Sequence, residues 1–261
     1  MNQTSSTVFV TGASSGIGRA TSMVFAKAGH RVYAAARRLD SLRSSLLDDL
    51  GPTVFKNQIV PIQLDVTSEK SVKECFDVIS SDLKSNKLTL DVLVNNAGLA
   101  LGVDRVENGK NSDWTAMLDT NILGLLQVTR SAIPLIKEST RGQIINLGSI
   151  AGHIAYEGGS VYCATKFAVD AITKTLRLEL NGTGIRVGSI DPGMVETNFS
   201  NVRLGDDDKA KAVYRGLKPL TALDIAESIA WMASRPLHVN IDQMVIMPTA
   251  QATPYKVHRS N

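Results

Sequence analysis

Seven short apolar runs, separated by longer amphipathic stretches, constrain the fold of this chain more than any other feature. They lie at residues 7–11, 31–36, 59–64, 91–95, 143–148, 185–190 and 243–247. Several are continuously apolar, such as Val32-Tyr33-Ala34-Ala35-Ala36. A strand with one wet face alternates apolar and polar residues. A strand buried on both faces does not, and such strands belong to a parallel sheet covered by helices. The intervening stretches have helical period. Ile17, Ala20, Val24 and Ala28 share one face, which Gly29 ends. Residues 39–50 are helical up to Gly51-Pro52. Residues 68–83 start with Thr67 or Ser68 as cap and Glu69 in the first turn. Residues 112–137 form a long helix whose last turns Pro134 should break or kink. Residues 161–180 and 224–234 follow. Strand alternating with helix predicts the α/β class, a Rossmann-type doubly wound parallel sheet with helices on both faces. No linker or repeat interrupts the pattern, so residues 1–261 are read as a single domain. Residues 199–218 are an irregular insertion, the expected substrate loop.

Charge and cysteine usage narrow the function. The net charge is only +3, and no Lys/Arg block stands out, which gives a mixed-charge surface rather than a nucleic-acid footprint. Cys75 and Cys163 are far apart and fit no CxxC or Cys/His pattern, and the four histidines are scattered. No metal site and a reducing, cytoplasmic location are expected. No apolar run approaches the ~18 residues of a membrane span, and the first seven residues are polar.

The first run leads directly into Thr11-Gly12-Ala13-Ser14-Ser15-Gly16-Ile17-Gly18 and a helix. Glycines let the backbone turn tightly and approach a pyrophosphate, and the helix N-terminus offers free N–H groups to the anion. The end of the loop, Gly18-Arg19-Ala20, lacks the Gly-Lys-Ser/Thr of a nucleoside-triphosphate loop. Gly12-Ala13-Ser14-Ser15-Gly16 also matches the G-x-S-x-G elbow of hydrolases, but that elbow needs earlier strands and about ten residues precede Gly12. A second strand that ends in Asp or Glu would hold the ribose hydroxyls of NAD. Here Ala36 stands at that place, followed by Arg37 and Arg38. Guanidinium groups grip a 2′-phosphate, so NADP(H) is the expected cofactor.

Tyr162 and Lys166, four apart, share one helix face. A nearby ammonium favours phenolate, which suits Tyr162 to exchange a proton with a substrate oxygen. Ser149 ends the fifth run, at the carboxyl edge where open α/β sheets bind ligands. Asn121, in the long helix, could hold a water or a backbone group.

Together these residues resemble a short-chain dehydrogenase/reductase along nearly the whole chain. The resemblance is carried by the glycine loop, Asp65-Val66, Asn95-Asn96-Ala97-Gly98, Asn121, Ser149, Tyr162 with Lys166, and Pro192-Gly193. It implies a seven-stranded parallel sheet and a homotetramer. Tyr162 would be the acid/base and Ser149 would orient the substrate oxygen. Lys166 would lower the Tyr162 pKa and hold the nicotinamide ribose, and Asn121 would anchor a relay water. Thr11 to Gly18, with Ser14 and Ser15, would cradle the pyrophosphate. Asp65 and Val66 would meet adenine, Asn95 would support the adenosine ribose and Ala97 the central strand. Pro192, Gly193, Val195 and Thr197 would meet the nicotinamide.

The segments at 95–102, 148–152, 196–203, 238–241 and 247–249 resemble the NADP-dependent 3-hydroxy acid dehydrogenases, also described as serine or L-allo-threonine dehydrogenases and malonic semialdehyde reductases. The implied activity is oxidation of the β-hydroxyl of short 3-hydroxy acids such as L-serine, L-allo-threonine and 3-hydroxyisobutyrate, or the reverse reduction. An anionic substrate calls for a cation, and Arg203 is the candidate. The rivals are a 3-oxoacyl carrier-protein reductase or general carbonyl reductase, and a non-enzymatic NADPH sensor. The last run, Gln243-Met244-Val245-Ile246-Met247-Pro248, lacks the first rival's Gly-Gly, and the complete Ser149, Tyr162 and Lys166 set speaks against the sensor.

Overall fold

The computed structural model describes residues 5–260. Seven of its strands form one sheet: β1 (Thr7–Thr11), β2 (Arg31–Ala36), β3 (Ile59–Gln63), β4 (Val92–Asn95), β5 (Gln143–Leu147), β6 (Arg186–Pro192) and β9 (Gln243–Ile246). A two-residue pair, β7 (Val195–Glu196) with β8 (Leu220–Thr221), stands apart. The sheet order is β3-β2-β1-β4-β5-β6-β9, and every pairing is parallel. The chain winds one way from β1 to β3 and the other way from β4 to β9. The reversal opens a crevice at the carboxyl ends of β1 and β4, where ligands of such sheets bind.

The continuous apolar runs feed two cores. Phe9, Tyr33, Leu93, Ile144 and Val187 point to one face, against α3 (Glu69–Asn86), α5 (Leu125–Ile136) and α6 (Ser160–Glu179). Val8, Val10, Val32, Ala34, Val94, Ile145 and Ile190 point to the other, against α1 (Gly16–Lys27), α2 (Leu39–Gln58) and α9 (Ala222–Ala233). Successive strand residues serve opposite faces, so both members of each pair must be apolar. Local signals close the helices. The Ser68 hydroxyl accepts from Ser71 N at the start of α3, and Thr221 and Asp224 form a reciprocal capping box on α9.

Three local features differ from the expectations. Gly51 (φ 70°, ψ 164°) breaks the helical path, but Pro52 starts a new turn and α2 continues to Gln58. Proline's missing N–H costs nothing in a first turn. Pro134 lies two residues before the end of α5, and the helix does not stop at it. The departure from α geometry comes earlier. Between α4 (Asn111–Leu118) and α5, residues 119–124 form a π-helical turn, a distortion common at functional sites. The stretch 199–218 is not irregular throughout, because it holds α7 (Phe199–Leu204) and α8 (Asp207–Val213). The Asp206 carboxylate caps α8.

Residues 251–260 fold back onto the chain that follows β6. Gln251 Oε1 accepts from Met194 N at 2.8 Å. Arg259 donates to the carbonyls of Arg215 and Val213, and Ser260 N donates to Gly216 O at 2.7 Å.

Ile145 is fully buried in the central strand β5. Ile145→Ala is expected to cost about 2–5 kcal/mol, read as a lower urea midpoint with an unchanged slope.

Candidate active site

The glycine loop is held from behind by the chain that follows β4. The Thr11 hydroxyl accepts from Asn96 N and Ala97 N, both at 3.0 Å. Asn96 Nδ2 donates to the carbonyls of Thr11 (2.8 Å) and Gly12 (3.2 Å). Gly12 has φ +67°, which other residues rarely adopt. A Cβ on Gly18 would fall 2.3 Å from Asn96 Nδ2 and 2.4 Å from Gly12 O. Ser15 begins α1 without a side-chain cap, so the first-turn N–H groups have no side-chain acceptor. Ser14, Ser15, Gly16 and Ile17 line a cavity of about 340 Å³.

At one end of this cavity stand Ala36, Arg37 and Arg38, with Asp65 and Val66 beside them. Both guanidinium groups are exposed, and neither forms an ion pair among the described residues. Asp65 Oδ1 accepts from Thr67 N and Oγ1, which leaves Oδ2 without a protein partner. At the other end stand Ser149, Tyr162 and Lys166, with Pro192, Gly193, Val195 and Thr197 along the wall. Ala97 lines the middle.

Each group at that end is set by the element that carries it. Ser149 follows β5, and its hydroxyl accepts from Ala151 N at 3.1 Å, which caps the 3-10 turn of residues 150–152. Tyr162 lies in the first turn of α6, and Lys166 one turn later. The Lys166 ammonium donates to Leu147 O at 2.8 Å and lies 5.9 Å from the centre of the Tyr162 ring. Burial pushes the Tyr162 pKa well above its usual value, and Tyr156 adds to this. A hydrogen bond with Ser149 and the charge of Arg203 pull it down. Burial pushes Lys166 down to about 8, opposed by the Asp191 charge. Two cations therefore face Tyr162, Lys166 from its own helix and Arg203 from above its ring.

Five expected site residues, Thr11, Gly18, Asn95, Asn121 and Arg203, lie outside the cavity wall. Thr11 and Gly18 brace the loop as described. The Asn95 amide is buried in the sheet and donates to Thr129 Oγ1 (2.8 Å) and Asn146 Oδ1 (2.9 Å). Asn121 is in the π turn. Its Oδ1 accepts from Leu99 N (2.9 Å), and its Nδ2 donates to Leu99 O (2.8 Å) and Thr165 Oγ1 (3.0 Å). Both amide hydrogens are therefore used, and the side chain clamps the loop after β4 to α6. Motif spacing locates such residues but does not say which way they point. The wall also contains Asn96, Leu99, Thr120, Phe199 and Val202, which sequence reasoning did not assign to the site.

Arg203, on α7, stands over Tyr162. Its Cζ lies 5.5 Å from the ring centres of both Tyr156 and Tyr162. Nε donates to Gly102 O at 3.2 Å and Nη1 to the Tyr156 hydroxyl at 2.9 Å. Nη2 has no protein acceptor, and no carboxylate pairs with the group among the described residues. No cluster of metal-ligating side chains occurs among the described residues, and no helix there is long and apolar enough to cross a membrane.

A glycine loop at the sheet's reversal point, leading to a Tyr/Lys pair and a serine at the neighbouring strand ends, defines a nicotinamide-type oxidoreductase site. The short chain dehydrogenase model matches residues 6–207, and the chain belongs to that family. It is 43% identical over 256 residues to the NADP-dependent 3-hydroxy acid dehydrogenase YdfG of Salmonella typhi, covering 97% of this chain and 99% of that one. It is 40% identical over 259 residues to the serine 3-dehydrogenase of Rhizobium radiobacter, covering 98% and 100%. Among solved structures, the closed form of a serine dehydrogenase complexed with NADP+ superposes with a TM-score of 0.87 at 40% identity, covering 97% of this chain and all of that one.

Gly18→Ala forces a methyl group into the Asn96 clamp. It is expected to lower stability by about 1–3 kcal/mol, measured by thermal or urea unfolding. Unchanged stability would show that the clamp gives way freely.

Proposed function

We propose that this chain is an NADP(H)-dependent dehydrogenase that oxidises the β-hydroxyl of short 3-hydroxy acids, or reduces the matching semialdehydes and 3-oxo acids. The observation that carries this reading is one cavity with two unpaired guanidinium groups at one end and Ser149, Tyr162 and Lys166 at the other. The cofactor supplies the hydride acceptor when bound; the protein supplies orientation and a tuned proton acceptor. The uncapped start of α1 fits a pyrophosphate. Arg37 and Arg38 fit a 2′-phosphate, which an acidic residue at Ala36 would repel. Asp65 and Val66 fit the adenine end. Pro192, Gly193, Val195 and Thr197 fit the nicotinamide end, with Lys166 beside the ribose.

Ser149 donates to and orients the substrate oxygen, and Tyr162 takes its proton during oxidation and returns one during reduction. Because burial raises the Tyr162 pKa, its phenolate forms at high pH, so oxidation gains with rising pH and reduction is favoured near neutrality. Arg203 offers its free Nη2 edge to the substrate carboxylate, close to Tyr162. The relatives' activities support this choice of substrate class. The assembly that goes with this reading is a cytoplasmic homotetramer. Leu123 and Leu126, exposed three residues apart, support self-association.

The test is turnover with L-serine, L-allo-threonine and 3-hydroxyisobutyrate, using NADP⁺ beside NAD⁺. Turnover is expected with NADP⁺, falling about 10²–10⁴-fold in Tyr162→Phe. Arg37→Ala with Arg38→Ala should weaken NADP⁺ about ten- to hundredfold and leave NAD⁺ nearly unchanged. Inactivity on all three acids, with bulkier carbonyl compounds reduced instead, would overturn the substrate reading. Arg203→Ala should raise KM for hydroxy acids more than for uncharged alcohols. Equal losses on both would remove Arg203 as the carboxylate receptor.

A further inference from the structure

Lys166 is a buried cation with no carboxylate in contact. Its ammonium bonds only to the Leu147 carbonyl among the described residues, and burying an unpaired charge favours its neutral form. The charge that opposes this is Asp191 on β6, whose neighbour Ile190 is in register with Leu147.

Asp191 is buried near its strand end and bonded to both Ser189 and His153. Its side chain is 4% exposed. Oδ2 accepts from Ser189 Oγ at 3.2 Å and meets His153 Nε2 at 2.8 Å. Oδ1 packs so closely on the Gly148 backbone that a Cβ there would lie 1.9 Å from it. His153 is a quarter exposed, and it closes the same 3-10 turn that Ser149 opens. His153 thus holds Asp191 against the Leu147–Gly148 peptide, whose Leu147 carbonyl receives the Lys166 ammonium 5.9 Å from the Tyr162 ring centre. The other titratable or charged groups that bear on this arrangement are Tyr156 and Cys163, close to Tyr162, and Arg203 from α7.

We propose that Asp191, pinned by His153, is the fixed counter-charge to Lys166, and that Asp191 and His153 are positioning residues that set the pH range over which Tyr162 exchanges its proton. The proposal rests on Tyr162 and Lys166 as the proton-transfer pair. Two limbs follow. Without the Asp191 charge, Lys166 loses its proton at lower pH. Without His153, Asp191 itself takes up a proton at higher pH, because burial already raises it and His153 is the largest influence holding it down.

The experiment is the pH profile of kcat for the wild type, Asp191→Asn, His153→Ala and His153→Gln, with NADPH binding and thermal melting as folding controls. Asp191→Asn is expected to move the alkaline limb down by about one pH unit. His153→Ala is expected to move the acid limb up and leave the alkaline limb in place. His153→Gln, which can still donate to the carboxylate, should restore part of the acid limb. A kcat lowered by the same factor at every pH in both Asp191→Asn and His153→Ala would overturn the proposal, since a structural role moves no limb. Should Asp191→Asn fail to fold, an unmoved acid limb in His153→Ala overturns it alone. Turnover retained in Tyr162→Phe would remove the acid/base reading itself. An inactive Tyr162→Phe with unmoved limbs would remove only this inference.

Discussion

A parallel sheet buried on both faces sends the carboxyl ends of all its strands to one edge, and this constraint organises the rest of the molecule. Backbone direction alone brings Gly12, Asn96, Ser149 and Pro192 together from β1, β4, β5 and β6, although 180 residues of sequence separate the first from the last. The two cores fix this edge because neither face can shift without exposing apolar side chains. The polar groups at the edge are then tied by short bonds. Asn96 and Thr11 join β1 to the chain after β4, and Asn121 joins that chain to α6 one residue before Lys166. The edge is therefore held in place by bonds outside the Ser149, Tyr162 and Lys166 set.

The same burial sets the chemistry. In water a lysine beside a tyrosine would be screened and would do little. Here both lie in a poorly solvated wall, where each charge is felt at longer range. Burial acts against both ionised forms: it raises Tyr162 and lowers Lys166. If the two act as the proposed proton-transfer pair, charges outside the pair set their poise. Arg203 over the tyrosine ring and Asp191 near the lysine provide opposite signs at opposite ends. On the proposed mechanism, the proton chemistry then depends on several charges rather than on a single pair.

The strands were legible in the sequence because burial on both faces leaves no alternation to misread, and the observed strands depart from the apolar runs by at most two residues at an end. The glycine loop, Arg37, Arg38, Ser149, Tyr162 and Lys166 were legible because their chemistry fits their position on a strand end or helix face. What was not legible is direction and distance. Asn95, Thr11 and Gly18 stand at recognisable places yet face into the sheet or the loop, which spacing does not reveal. The π turn around Asn121 leaves no mark in a 3.6-residue pattern. Pro52 reads as a stop, but it starts the next turn because Gly51 has already redirected the chain. Asp191 and His153 are 38 residues apart, and nothing local marks them as partners.

The stretch after β6 shows how specificity can sit apart from this rigid edge. Helices α7 and α8 have few residues in either core. They are held by individual bonds instead: Arg203 to Gly102 and Tyr156, Tyr214 to Ser200 and Val195, and Arg259 and Ser260 to residues 213–216. Such bonds contribute about 0.5–1.5 kcal/mol each, far less than a core helix gains from burial. A segment so held can move without unfolding the sheet. Phe199 and Arg203 close over Tyr162 through this segment. On the proposed mechanism, the groups that meet the variable part of a substrate ride on a weakly anchored element, while Tyr162 and Lys166 stay on α6, a helix packed into the core.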